Sequence, residues 1–245
     1  FLLPKVDGVV ANSFALAHDL VAGRFLPSKR VIGAHMGINL KLYDELRISK
    51  PDARRKLGLP LDKKIALYSG KIYLGYKEID YLLEAAQLLP SDVEVVFVGG
   101  RADHVQCFRE LLLKKNISNA TFVGFVPPNL VQYYQLAADV LLLYYPSGMD
   151  LNKYRSPGKL FEYMASGRPI VAADYPVLRE VLGDDPAAVL VPPDSPQRLA
   201  QNIKNLLADS SKMESLATRA LERVSQFTWE ARARRILDFI VTIAE

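Results

Sequence analysis

The chain has 245 residues, of which 50% are hydrophobic and 24% charged, a composition that suits one large or two small globular domains and excludes disorder. No apolar run approaches the ~20 residues a spanning helix needs, and no cationic cluster leads into an apolar stretch at Phe1, which argues against membrane insertion and a secretory signal. Lys plus Arg at 31 against Asp plus Glu at 27 give a net charge of +4, too small an excess for a nucleic-acid surface, and the single Cys107 leaves neither a disulfide nor a thiolate metal cage, in keeping with a cytoplasmic setting.

The sequence starts Phe-Leu-Leu-Pro without an initiator Met and reads as a piece of something longer. Apolar patterning predicts a strand over 6–11, a helix over 14–22 begun by Ser13, and a strand over 30–34. Three elements cannot bury a core alone, so a boundary is expected near Gly37, dividing 1–37 from a main domain over 38–245. Residues 40–62, rich in Lys and Arg and ended by Gly58 and Pro60, read as a connector with a short helix.

From Lys64 onward the pattern becomes regular. Strands are predicted over 65–68, 93–98, 121–123, 140–144, 170–173 and 188–191, most of them apolar on both faces. Helices are predicted between them over 77–88, 104–115, 130–137, 157–165 and 176–182. This repeated βαβ unit specifies an α/β fold with a doubly wound parallel sheet. Two further helices are expected over 196–208 and 229–244, the second capped by Thr228.

Open parallel sheets bind ligands beyond the carboxyl ends of their strands, so the loops carry the functional reading. After the strand at 65–68, Ser69-Gly70-Lys71-Ile72-Tyr73-Leu74-Gly75-Tyr76-Lys77 places two glycines and two lysines at a helix entrance, a pattern suited to an anion. An equal alternative is a solvated loop. Gly99-Gly100 lacks dinucleotide-fingerprint spacing, and Gly124-Phe125-Val126-Pro127-Pro128 reads as a stiff connection.

The richest segment is 156–169, which writes both ends of a helix: Ser156 as N-cap, Pro157 at the first position, Gly167 past the end and Pro169 as the stop. Leu160, Phe161, Met164 and Ala165 share the packing face, leaving Lys159 and Glu162 opposite. A cation in the first turn opposes the helix dipole unless an anion sits at the helix start, so this spacing points to anion binding; the bland alternative is an exposed i,i+3 pair. There is no phosphate-loop signature, no H-E-x-x-H, no G-x-S-x-G and no Asp-x-Asp, so metal-dependent hydrolysis has no support, and His18, His35 and His104 read as ordinary polar residues, with His35 kept as a cleft candidate.

Together these residues resemble glycosyltransferase family 4, whose GT-B fold faces two Rossmann-like domains across a donor and acceptor cleft. Val6-Asp7-Gly8-Val9-Val10-Ala11-Asn12-Ser13 is similar to the close of the family's amino-terminal domain, and His35-Met36-Gly37-Ile38-Asn39 to its interdomain segment. Residues 95–99, 122–126, 138–140, 162–165 and 227–229 continue the likeness over essentially the whole chain.

The resemblance implies that Lys71 and Lys77 neutralise a donor diphosphate, that backbone amides of Gly158, Lys159 and Leu160 cap it beside Ser156 and Gly70, that Glu162 accepts from the ribose hydroxyls, and that the loops at Gly99 and Val126 flank the base. It further implies transfer with retention, no metal or other cofactor, a UDP- or GDP-linked sugar as donor, a polysaccharide, lipid-linked or protein acceptor, and room for peripheral membrane association of the parent protein. Three departures stand out. The family's first motif glutamate falls on Tyr154, with Asp150 or Arg155 as substitutes; Lys71 replaces the commoner arginine, losing bidentate geometry, and stands one residue further than usual from Lys77; and most of an acceptor domain is missing. The alternative reading is a non-catalytic nucleotide-binding or interaction module of the same fold.

Overall fold

The computed structural model describes residues 5–46 and 48–244. Near the amino end, β1 (Val9–Ala11), α1 (Phe14–Ala22) and β2 (Val31–Gly33) form a small βαβ unit in which β1 and β2 pair in parallel. Ser13 caps α1, its hydroxyl accepting from Leu16 N at 3.2 Å. The connector folds into α2 (Lys41–Asp44) and α3 (Lys50–Leu57), the latter ended by Gly58 in the left-handed region at φ 67°.

The main sheet and its helices follow: β3 (Lys64–Ser69), α4 (Lys77–Gln87), β4 (Val93–Val98), α5 (Ala102–Lys114), β5 (Ala120–Gly124), α6 (Pro128–Ala137), β6 (Val140–Leu143), α7 (Gly158–Ala165), β7 (Ile170–Ala173), α8 (Pro176–Leu182) and β8 (Val189–Val191). The chain closes with α9 (Pro196–Leu207), α10 (Ser210–Val224) and α11 (Trp229–Ala244). The expected strands and helices are all present with ends shifted by a few residues. The helix α10 was not expected.

All strands of the six-stranded sheet run parallel in the order β5-β4-β3-β6-β7-β8. The chain therefore works outward from β3 in one direction and returns through β6 in the other, which leaves a crevice at the carboxyl ends of β3 and β6. Alternation along β3 assigns its faces: Ala66 and Tyr68 pack with Ile79, Leu82, Leu199 and Ile203, whereas Ile65 and Leu67 pack with Leu160, Met164, Leu178 and Val181. Both layers exclude water, as the two-sided apolar strands require.

At the opposite end of the sheet Asp139, 3% exposed, is surrounded by donors. Arg54 reaches it at 2.6 Å, Lys50 at 2.5 Å and the Ile65 amide at 2.7 Å. This buried pairing ties α3 to the start of β3 and β6, and it explains why the basic connector is ordered against the sheet.

The βαβ unit is held to the rest of the molecule by charge-assisted contacts. Glu180 of α8 accepts from the amides of Phe14 and Ala15, both at 2.8 Å, so a side chain of the main sheet's layer satisfies the start of α1. From α11, Arg235 donates to Gly33 O at 2.8 Å and Arg232 donates to the carbonyls of Ala34 and His35. His35 lies between Glu180 (2.8 Å) and the Ser156 hydroxyl (3.1 Å); burial lowers its pKa, and the Glu180 charge only partly opposes that.

Candidate functional site

A cleft of ≈ 690 Å³ opens at the switch point, lined by the loops after β3, β4 and β5, by the α7 start and by Ile38, Leu42 and Tyr43 of the connector. Backbone approach shapes its floor. Gly70 and Gly99 both adopt positive φ, at 150° and 118°, and a Cβ on Gly99 would overlap the Gly70 carbonyl oxygen. A Cβ on Gly70 would lie 2.7 Å from Lys159 Nζ, so glycine at that position lets the lysine reach the floor.

Lys159 is the best-defined cation of the cleft. Its Nζ donates to the Tyr68 hydroxyl at 3.0 Å and stands 4.1 Å over that ring's centroid and 5.8 Å from that of Tyr145. Burial pushes its pKa down to about 8, with the charges of Glu78 and Glu162 opposing the shift and Arg155 adding to it. Tyr68 in turn donates to Glu78, a carboxylate only 8% exposed. Burial, and next the Glu78 charge, push the Tyr68 pKa up, so the phenol stays protonated.

Glu162 stands one turn along α7 and faces the same cleft. Its Oε2 accepts from Gln135 Nε2 at 3.1 Å; Gln135 also reaches the Ser69 hydroxyl at 3.3 Å and accepts from Tyr43 at 2.6 Å. Tyr163 anchors the opposite face, its hydroxyl accepting from the Ser69 amide at 2.9 Å. The carboxylate is therefore aimed by a buried amide while its Oε1 has no hydrogen-bond partner among the described residues.

The structure gathers Gly70, Lys71, Gly99, Val126, Lys159 and Glu162 around this one cleft. Four other candidates do not line it. Lys77 starts α4 and is not among the residues lining the cleft; its charge adds a minor lowering influence on Asp194. Ser156 is not the N-cap: Pro157 takes that position, and the Ser156 hydroxyl accepts instead from the Met36 amide at 2.8 Å, joining the segment that follows β2. Leu160 is a core side chain whose amide already bonds Pro157 O at 3.0 Å, so the donors left at this helix start belong to exposed Gly158 and to Lys159.

Tyr154, where the resemblance expects a glutamate, donates to Asp19 of α1 at 2.7 Å and so serves the contact between the βαβ unit and the main domain. Asp150 is almost fully exposed and pairs with Lys153 at 3.7 Å. Arg155 lies over the Tyr145 ring at 4.6 Å, and no carboxylate pairs with it among the described residues. No group of three or more His, Cys, Asp or Glu placed to hold a metal ion occurs among the described residues.

Sequence reasoning missed Tyr68, Glu78, Tyr43 and Gln135. Tyr68 reads as one more apolar strand residue, and Glu78 as an ordinary acid in the first turn of a helix. A usable signal existed, because Glu78 falls on the buried stripe with Ile79, Leu82 and Leu83, where an unneeded carboxylate is costly. The cleft mouth also carries Arg101, paired with Asp103 at 3.0 Å, and Phe125, which is 78% exposed.

Residues 49–223 match the family described as glycosyl transferases group 1. The D-inositol 3-phosphate glycosyltransferases of Thermobispora bispora and Xylanimonas cellulosilytica are 30% and 32% identical to the chain over 246 and 242 residues; each match covers 95% of this chain and 55% or 56% of the relative. The chain thus spans about half the length of the curated relatives it matches. Sucrose-phosphate synthase from Thermosynechococcus elongatus superposes with a TM-score of 0.77 at 29% identity, covering 98% of this chain and 59% of that one. Anabaena HepE, solved in complex with UDP and glucose, shares the fold with a TM-score of 0.80 at 19% identity, covering 98% of this chain and 65% of its own. With more than half its length inside that family match, and with relatives 30% or more identical over 95% of it, the chain belongs to the group 1 glycosyl transferases.

Proposed function

We propose that the chain is the donor-binding half of a glycosyltransferase that moves a sugar from a nucleoside-diphosphate sugar to an acceptor hydroxyl, with retention of configuration and without a metal. Residues 38–245 form the nucleotide-sugar domain in this reading, and 1–37 the end of a facing Rossmann-like domain. The observation that carries it is the cleft itself, where two lysines, a helix start and a carboxylate converge beside an apolar mouth.

The division of labour follows from chemistry. Departure of a nucleoside diphosphate builds negative charge on its bridging oxygen, and preorganised cations stabilise that charge most where water is excluded. Lys71 and Lys159 supply the positive charge here, with the Gly158 and Lys159 amides adding the dipole of α7. Glu162 suits a ribose diol, because its free oxygen faces the cleft while Gln135 holds the other. Phe125 and Val126 at the end of β5, with Gly99 and Gly100 at the end of β4, offer a flat apolar seat for a base. The UDP bound by HepE, and the sugar transfer named for the D-inositol 3-phosphate relatives, agree with this assignment.

The non-catalytic alternative draws on Tyr154, which is engaged by Asp19 and leaves no acid at that position to hold a donor sugar. The test is incubation of the parent protein, this chain together with its acceptor half, with UDP-, GDP- and ADP-sugars and a panel of hydroxyl acceptors in the presence of EDTA, followed by NMR of the product's anomeric centre; this chain by itself is expected to bind donor without transferring. Retained configuration in EDTA supports the proposal; an inverted product, or a strict metal requirement, overturns those parts of it.

A further inference from the structure

We propose that Glu78, acting through the Tyr68 hydroxyl, is a positioning residue that keeps the Lys159 ammonium charged and aimed at the diphosphate subsite; this rests on the donor-binding reading above. Glu78 does not line the cleft, and its one side-chain hydrogen bond among the described residues is to Tyr68. It sits among Ile79, Leu82 and Leu83 on the buried stripe of α4, where an apolar side chain would pack at no desolvation cost. A carboxylate there calls for a compensating positive group, and Lys159 is the cation the geometry supplies.

Hydrogen-bond chemistry fixes the direction of the chain of contacts. An ammonium has donors only, so Lys159 Nζ must donate to the Tyr68 oxygen at 3.0 Å. The phenol has a single proton to give. It chooses between Glu78 and the Lys71 carbonyl at 3.2 Å, and the Glu78 contact is much the shorter. The order is therefore ammonium, phenol, carboxylate, with the negative end inside the protein and the positive end in the cleft.

The groups facing Lys159 are Glu78 from α4, Glu162 from its own helix, Arg155 from the preceding loop, Lys71 across the cleft, and the rings of Tyr68 and Tyr145. Burial and Arg155 favour the neutral amine, whereas Glu78 and Glu162 favour the ammonium. With its pKa near 8 the ammonium predominates at pH 7 and gives way to the neutral amine as pH rises above that value. Removing the Glu78 charge shifts that balance toward the neutral amine, which attracts no anion.

The experiment has two arms. In the first, the ε-position of Lys159 is followed by NMR in the ligand-free chain carrying isotope-labelled lysine, with Lys159→Met assigning the signal. Its midpoint is expected below the ordinary lysine value of about 10.4 and to fall by roughly a further unit in Glu78→Gln. In the second, calorimetry with UDP and GDP is run at pH 6 and pH 8.5. Glu78→Gln is expected to bind about tenfold more weakly at pH 8.5 and nearly normally at pH 6, one unit of midpoint being a factor of ten. Tyr68→Phe, which removes only the bridging hydroxyl, is expected to move both readouts in the same direction and guards against a Glu78 variant that folds poorly. A Lys159 midpoint and a pH profile that stay at the wild-type values in both variants overturn the proposal while leaving the donor reading intact. Failure of wild type to bind either diphosphate at pH 6 overturns the donor reading, and the diphosphate role of Lys159 with it.

Discussion

Gly99 stands against the carbonyl oxygen of Gly70 with no room for a Cβ between them. The end of β4 and the end of β3 are thereby pressed together, and the cleft floor is made of backbone. Gly99→Ala combines this overlap with a φ of 118° that L-residues avoid, so it is expected to cost at least about 1–3 kcal/mol and to weaken nucleotide binding. Gly58→Ala is the control: its φ is 67° with open space around it, so only about 1 kcal/mol of conformational cost is expected and binding stays normal. Urea denaturation and calorimetry on the two variants check the contrast.

Lys71 and Lys159 line the cleft, whereas Lys77 at the start of α4 does not. Lys71→Ala and Lys159→Met are expected to weaken diphosphate binding by about 1.5–3 kcal/mol each, the range for hydrogen bonds to charged groups, with nucleoside binding little altered. Lys77→Ala is expected to have the smaller effect. Equal losses in all three variants would restore Lys77 to the phosphate site.

Glu162→Ala removes the proposed ribose acceptor from a half-buried position whose buried neighbour, Gln135, keeps its contacts with Ser69 and Tyr43. Nucleotide affinity is expected to fall by about 1.5–3 kcal/mol with little change in folding stability, and a 2′,3′-dideoxynucleotide is expected to bind wild type and variant alike. Titration of both ligands against both proteins measures this.

Asp139 sets the acid limit of the fold. Burial alone would raise its pKa, but the Lys50 and Ile65 hydrogen bonds and the charges of Lys50 and Arg54 outweigh burial and hold it below the ordinary 3.8. A carboxylate more acidic in the folded than in the unfolded chain stabilises above about pH 4, and that contribution is lost as pH falls through the folded value. Asp139→Ala, which leaves Arg54 buried without its partner, is expected to cost about 3–5 kcal/mol at pH 7 and to flatten the stability profile below pH 4. Denaturation midpoints between pH 2.5 and 7 show both effects.

The fold was legible because a two-sided buried strand and an amphipathic helix leave different periods in the sequence. β4 and β7 were read to the residue, and Ser13 and Thr228 cap their helices as expected, the latter accepting from Ala231 N at 3.1 Å. The helix α10 escaped because it opens with Ser-Ser-Lys and carries few large apolar residues, although Asp209 caps it through Lys212 N at 2.9 Å and Leu216, Ala220 and Val224 keep helical spacing. Ser156 misled for a different reason. The pattern identifies a residue able to cap α7, but the Met36 amide competes for the same hydroxyl across 120 residues of chain, and local spacing cannot show that contact. Lys159 was expected on the open side of α7 and lies against Tyr68, a placement that required knowing how closely Gly70 approaches.

The most direct measurement is isothermal titration calorimetry of the wild-type chain with UDP, GDP and ADP, each paired with its nucleoside, at pH 7. Binding of at least one diphosphate is expected, with its nucleoside at least tenfold weaker and with the preference reduced in Lys159→Met. Absence of binding by all three diphosphates, or binding indifferent to the phosphates and to Lys159, would contradict a donor site in this cleft.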